Sequence, residues 1–164
     1  MCRPDHQNGI PRLIALIQRV SRASVGIGDK EVGSIANGVL ILLGVHRTDT
    51  RRELGWLVKK TANLRIFADE GGKMNLSLLD IEGDALVISQ FTLYGNATKG
   101  NRPSFTRSAP PEIAEPLYEE FIARLQEQLG RPVASGEFGA EMDVELINDG
   151  PVTIWLEKSA GEVQ

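Results

Sequence analysis

The stretch Ile88-Ser89-Gln90-Phe91-Thr92-Leu93-Tyr94-Gly95 sets two hydroxyls and an amide among apolar neighbours, at the end of a run that reads as a buried strand. Polar groups in such a place must find partners. Ser89, Gln90 and Thr92 therefore either face a ligand or satisfy a neighbouring loop, and their residue types leave both readings open. Directly downstream, Asn96 to Arg107 carries Lys99, Arg102 and Arg107, no acid, and the aromatic Phe105. A cationic loop with an aromatic can hold phosphates while stacking on an unpaired base. Uncharged chemistry beside a phosphate anchor is what the two segments offer together.

Other catalytic inventories are thin. The histidines are His6, near the N-terminus, and His46, at a strand end beside Arg47, where spacing supplies neither nucleophile nor orienting group. His46 reads as structural or solvent-facing. Cys2 has only His6 near it, so no disulfide framework and no Cys/His metal spacing exist. No carboxylate spacing predicts an acid pair, and there is no P-loop. Gly26-Ile27-Gly28 fails as a dinucleotide fingerprint, because Glu31 stands at the third glycine position and no helix follows.

The elements that must position these groups alternate in period. Leu13 to Val20 reads as a buried strand, followed by Ser24 to Ile27 and a turn at Gly28-Asp29-Lys30; Glu31 to Ile35 and Val39 to Val45 continue the meander. Thr48 to Arg65 reads as a helix, with Leu54, Leu57, Val58, Thr61, Ala62 and Arg65 on one face and Thr50 and Glu53 at capping-box spacing. Ala85 to Leu93 reads as one strand. A second helix is expected between Ser108 and Leu129, striped by Ile113, Leu117, Phe121, Leu125 and Leu129, with Pro116 starting or kinking it and Gly130 and Pro132 ending it. Near the C-terminus, Asn148-Asp149-Gly150-Pro151 reads as a turn between strands Met142 to Ile147 and Val152 to Glu157.

Strands at both ends with two helices between them, and no βαβ rhythm, predict an α+β fold. Its layers would be two mainly antiparallel or mixed sheets and two principal helices. The length of 164 residues suits a single domain over 13–164, with 1–12 as a disordered tail. That tail lacks the apolar stretch of a secretory signal, and the apolar run at Val39 to Val45 is too short to span a bilayer, so a cytoplasmic protein with no membrane contact is expected. The net charge of −4 divides unevenly: residues 1–66 hold 11 Lys or Arg against 5 Asp or Glu, a balance of +6, and the remainder carries −10. A nucleic-acid partner then depends on a local basic surface.

Four ordered motifs, Gln18 to Val25 (QRVSRASV), Ser89 to Gly95 (SQFTLYG), Lys99 to Phe105 (KGNRPSF) and Asn148 to Thr153 (NDGPVT), resemble the D-aminoacyl-tRNA deacylases. The resemblance runs from about Leu13 to the end. It implies a layered β/β/α homodimer, without cofactor or metal, whose active sites lie at the subunit interface and take the 3′ end of aminoacylated tRNA. The implied reaction is hydrolysis of the ester of a D-amino acid, or of glycine mischarged on tRNA(Ala). On this resemblance Ser89, Gln90, Phe91 and Thr92 line the catalytic pocket, and Lys99 and Arg102 bind tRNA. Gly150, Pro151, Val152 and Thr153 form a chiral filter around a cis Gly150-Pro151 peptide. A related alternative is a non-catalytic or L-serine-editing module of the same fold that binds the tRNA 3′ end.

Overall fold

The computed structural model describes residues 12–159. The expected tail therefore lies outside the described residues except for Arg12, which already belongs to the first strand. In chain order the elements are β1 (Arg12–Ile27), β2 (Lys30–Ile35), β3 (Gly38–Gly44), α1 (Arg51–Asn63), β4 (Phe67–Ala68), β5 (Met74–Leu76), β6 (Asp84–Ser89), a 3₁₀ turn (Phe91–Tyr94), α2 (Pro111–Leu129), β7 (Ala134–Ser135) and β8 (Asp143–Ser159). Six strands form one mixed sheet, and β4 pairs with β5 in a two-stranded one. The α+β expectation with two helices and mixed sheets holds.

β1 organises the large sheet. Its first half pairs antiparallel with β3, its second half with β2, and β8 runs antiparallel to it along nearly its whole length. β3 then pairs with β6 in parallel, and β6 with β7. Alternation along β3 separates two cores. Val39, Ile41 and Leu43 pack with Leu13, Ala15 and Ile17 of β1 against both helices. Leu40 faces the other way, with Val20, Ala23 and Val25 of β1 and Leu86 and Ile88 of β6. Burial on both faces is why β3 reads as a continuous apolar run rather than an alternating one.

α1 starts at the expected cap: the Thr50 hydroxyl accepts from Arg52 N–H, and the Glu53 carboxylate accepts from Thr50 N–H at 2.9 Å. Leu54, Leu57, Val58, Thr61 and Ala62 are buried as the period predicts, and the helix stops before Arg65. α2 runs uninterrupted through Pro116. Its buried face is Ala114, Leu117, Tyr118, Phe121 and Leu125, rotated from the expected stripe so that Ile113 is exposed. Tyr118 buries its ring because its hydroxyl can donate to the Val87 carbonyl at 3.1 Å.

The two C-terminal strands with a turn between them are one strand instead. Both halves of β8 pair with β1, not with each other: Ser159 to Thr153 lie opposite Arg12 to Gln18, and pairing resumes at Asn148 opposite Val20. Asp149 to Val152 thus stand against the single residue Arg19, and the chain bulges out of the sheet there. Turn chemistry at Asn-Asp-Gly-Pro produces an excursion within a strand.

Candidate functional site

β6 ends at Ser89, in parallel register with Leu43. Gln90 N–H donates to the Leu43 carbonyl at 2.8 Å, and the chain then tightens into the 3₁₀ turn instead of continuing the expected strand to Leu93. The turn lies against the end of β3, where a Cβ on Gly44 would stand 3.2 Å from the Tyr94 ring and 3.3 Å from Leu93. Glycine is what lets the turn approach so closely. The consequence is exposure: Ser89 and Gln90 are half-buried, whereas Phe91 and Thr92 face solvent.

Gln90 Nε2 donates to Thr92 Oγ1 at 2.5 Å. Phe91 meets Phe105 edge to face at 5.1 Å. Ser89, Gln90 and Phe91 form one wall of a cavity of about 590 Å³, and Phe105, Phe138 and Met142 contribute apolar surface to it. The cationic loop beside it is closed by two bonds between Asn96 and Ser104, at 2.9 and 2.8 Å. Lys99 and Arg102 stand exposed on that loop.

A structural knot lies behind the 3₁₀ turn. Tyr94 is buried edge-on to His46, with ring centroids 5.6 Å apart, and its hydroxyl donates to the carbonyl of Arg12. His46 is buried, its Nδ1 2.8 Å from Thr48 Oγ1. Of the two readings left open for it, the structural one is correct. Burial, followed by the Arg107, Arg47 and Arg12 guanidiniums, holds the imidazole below its ordinary pKa. Asp49 Oδ2 accepts from His46 N–H at 2.6 Å, yet burial of this carboxyl pushes its pKa up to about 7.

The second group of residues sits on the β8 excursion. The Gly150-Pro151 peptide is cis, and Gly150 has φ +134°. Gly150, Pro151 and Thr153 are exposed, while Val152 is buried and anchors the excursion in the helix-side core. Arg19 Nε donates to the Asp149 carbonyl at 2.9 Å, and its Nη1 donates to the Ile66 carbonyl at 2.6 Å. Asn148 Oδ1 accepts from Val152 N–H at 2.7 Å, and its Nδ2 donates to Thr153 Oγ1 at 3.1 Å. Neither Gly150 nor Pro151 lines the cavity at Ser89 to Phe91. Within one chain these are two separate groups of residues.

The family profile described as D-Tyr-tRNA(Tyr) deacylase matches residues 16–157, a span that includes both groups of residues. The chain belongs to the D-Tyr-tRNA(Tyr) deacylase family. It is 58% identical over 150 residues to the D-aminoacyl-tRNA deacylase of Salinibacter ruber, covering 92% of this chain and 100% of that protein. It is 59% identical over 143 residues to the D-aminoacyl-tRNA deacylase of Geotalea daltonii, covering 87% and 95%. A solved structure described as c-Myc DNA Unwinding Element Binding Protein superposes with a TM-score of 0.84 at 43% identity, covering 90% of this chain and 99% of that one. A probable eukaryotic D-amino acid tRNA deacylase shares the fold, at TM-score 0.79 and 19% identity, with 90% and 100% covered.

Two residues of this family chain escaped the sequence reading. Arg19 and Asn148 lie within the quoted motifs, but their work is to fix the excursion. Arg19 left a faint signal, as a cation inside the strand run Leu13 to Val20. Its partners, 47 and 130 residues away, left none. Among the described residues no group of three or more His, Cys, Asp or Glu is placed to hold a metal ion, and no helix is long and apolar enough to cross a membrane.

Proposed function

We propose that this chain hydrolyses the ester joining a D-amino acid, or glycine mischarged on tRNA(Ala), to the 3′-terminal ribose of tRNA in the cytoplasm. The observation that carries the reading is the uncharged segment Ser89 to Phe91, where the strand passes into the 3₁₀ turn, on the wall of an aromatic-lined cavity large enough for a nucleoside. In this reading the terminal adenosine enters the cavity, and its ester lies over the 3₁₀ turn. The N–H groups of Phe91 and Thr92, at the head of that turn, receive the developing oxyanion.

Thr92 is a poor nucleophile in this setting. Its oxygen accepts from Gln90, and the buried His46 is engaged with Thr48 and Tyr94 instead. The tRNA's terminal 2′-OH serves better. Water attacks the ester carbonyl and yields a proton to the 2′-oxygen, which passes its own proton to the departing 3′-oxygen. The products are the free amino acid and a tRNA with both hydroxyls restored.

Chirality is read by Gly150 and Pro151, whose backbone carbonyls hold the substrate amino group and leave no room for an L side chain. Val152 and Thr153 support them. Glycine has no side chain to exclude and passes the filter. The filter serves the site of a second copy, giving a homodimer with interface active sites. Support comes from the separation of the two half-sites, and from exposed Ile147 and Trp155, which flank the excursion on β8.

The deciding experiment incubates purified protein with D-tyrosyl-, L-tyrosyl- and L-seryl-tRNA and follows ester loss. Hydrolysis of the D-ester alone is expected. Binding without turnover, or turnover of L-seryl-tRNA, would replace the proposal with the non-catalytic or the L-serine-editing module.

A further inference from the structure

Beyond Lys99 and Arg102, two further cations, Arg47 and Arg107, lie one or two residues along the chain from residues that line the cavity. Val45 and Ala109 both line it, and they are paired, Ala109 N–H donating to the Val45 carbonyl at 2.9 Å. Next along comes the antiparallel bridge between His46 and Ser108. One step further out Arg47 N–H donates to the Arg107 carbonyl at 3.1 Å, so the two arginines occupy facing backbone positions two residues beyond the cavity-lining pair, and Arg107 itself lines a neighbouring cavity with Tyr94 and Arg12. Facing residues of an antiparallel pair have Cβ atoms roughly 5 Å apart, and like charges there repel.

Among the described residues no salt bridge joins either arginine to a carboxylate. The nearby acids are otherwise engaged: Glu157 pairs with Arg12 at 3.1 Å, and Asp49 is buried against the His46 backbone. Both guanidiniums, with that of Arg12, stand close enough to the buried His46 ring to disfavour its charged form. An anion held between the two side chains would relieve their repulsion.

We infer that Arg47 and Arg107 form an anchor for the internucleotide phosphates that immediately precede the 3′-terminal nucleoside of the RNA. The inference rests on the proposed seat of that nucleoside in the cavity. A strand leaving the cavity past the Val45–Ala109 wall runs toward the arginine pair, two residues further along the same backbone pairing. The pair reads charge and carries no base specificity.

The test compares D-tyrosyl-tRNA with 3′-O-D-tyrosyl-adenosine, which presents the same ester and nucleoside without phosphate. The double variant Arg47→Ala/Arg107→Ala should raise KM for the tRNA by on the order of tenfold or more and flatten the salt slope of log KM by roughly 0.7 per lost contact. Turnover of the nucleoside ester should keep the wild-type rate, and Arg47→Lys/Arg107→Lys should restore the slope. An unchanged salt slope overturns the anchor. So does equal loss on both substrates, which would make the arginines supports of the cavity wall. If the wild-type protein hydrolyses neither ester, the deacylase reading fails by itself. Binding of uncharged tRNA, with the same comparison of slopes, then still decides the anchor.

Discussion

The Asn148 side chain spans the neck of the β8 excursion, its Oδ1 accepting the N–H of Val152 at 2.7 Å while its Nδ2 donates to the Val152 carbonyl at 3.3 Å. One amide therefore closes a loop of the backbone that the β1–β8 ladder leaves open. Asn148→Ala removes both of these bonds and the one to Thr153 Oγ1, and should cost about 0.5 to 1.5 kcal/mol for each bond lost. The larger effect is expected in selectivity, as hydrolysis of L-tyrosyl-tRNA relative to the D-ester. Asn148→Asp keeps the acceptor and should retain more of that selectivity, which parallel D- and L-ester assays would show.

Gly150 is a position where any side chain collides. A Cβ there would lie 2.9 Å from Val152 Cγ2, 3.0 Å from Arg19 Nη2 and 3.1 Å from the Val152 nitrogen, in a backbone with φ +134°. Gly150→Ala should cost about 1 to 3 kcal/mol at this φ and displace the Arg19 guanidinium from the Asp149 carbonyl. Most D-ester hydrolysis should disappear while the far-ultraviolet circular dichroism spectrum stays that of the wild type, since the position is exposed. Wild-type turnover in a folded Gly150→Ala protein would separate the excursion from the reaction.

What the sequence disclosed follows from the range of the interactions. α1 was legible to its cap because Thr50, Glu53 and the 3.6-residue apolar period act within a few residues. The β8 excursion reads in sequence as a turn between two strands because Asn-Asp-Gly-Pro carries local turn chemistry, whereas the partner of both halves lies more than 115 residues upstream. Ala85 to Leu93 reads as one strand for a similar reason. Nothing local reveals that Gly44 lets the chain fold back as a 3₁₀ turn. The residues proposed to carry the chemistry are visible through their motifs, and the bracing roles of Arg19 and Asn148 are not, because only the folded sheet gives them partners.

Asp49 makes stability depend on pH in an unusual direction. Burial raises its pKa from 3.8 to about 7, so the folded state holds a proton that the unfolded chain has released. Its contribution is full below pH 3.8 and is lost as pH rises to about 7, beyond which the loss levels off. Asp49→Asn keeps an acceptor for the His46 N–H without the charge. The Tm difference, variant minus wild type, should therefore grow from pH 4 to pH 7.5 and then stop growing. A difference independent of pH would show that Asp49 ionises normally in the folded protein.

Thr92 and the substrate 2′-OH make opposite predictions about who carries the attack. If the 2′-OH relays the proton, Thr92→Ala loses mainly the hydrogen bond with Gln90, and D-tyrosyl-tRNA hydrolysis should fall by about tenfold or less, as for a net bond of 0.5 to 1.5 kcal/mol. A tRNA ending in 2′-deoxyadenosine and charged on its 3′-OH should then be a very poor substrate. A loss of on the order of 10³-fold in Thr92→Ala, with the deoxy substrate still cleaved, would make Thr92 the nucleophile. Single-turnover rates measured on both substrates decide.

The separation of the half-sites leads to a test that single variants cannot give. Gln90→Ala damages the 3₁₀-turn side, with an expected loss on the order of 100-fold if Gln90 helps to hold the oxyanion. Gly150→Ala damages the excursion side. In an interface site, a dimer of one variant with the other carries one active site with both lesions and one with none. Each variant alone should therefore be nearly inactive, and mixing them under conditions that let subunits exchange should restore D-tyrosyl-tRNA hydrolysis. Recovery should rise to a maximum at equal amounts and vanish when the subunits are crosslinked before mixing. If each chain instead completed its own site, every site in the mixture would carry one lesion or the other, and no activity would return.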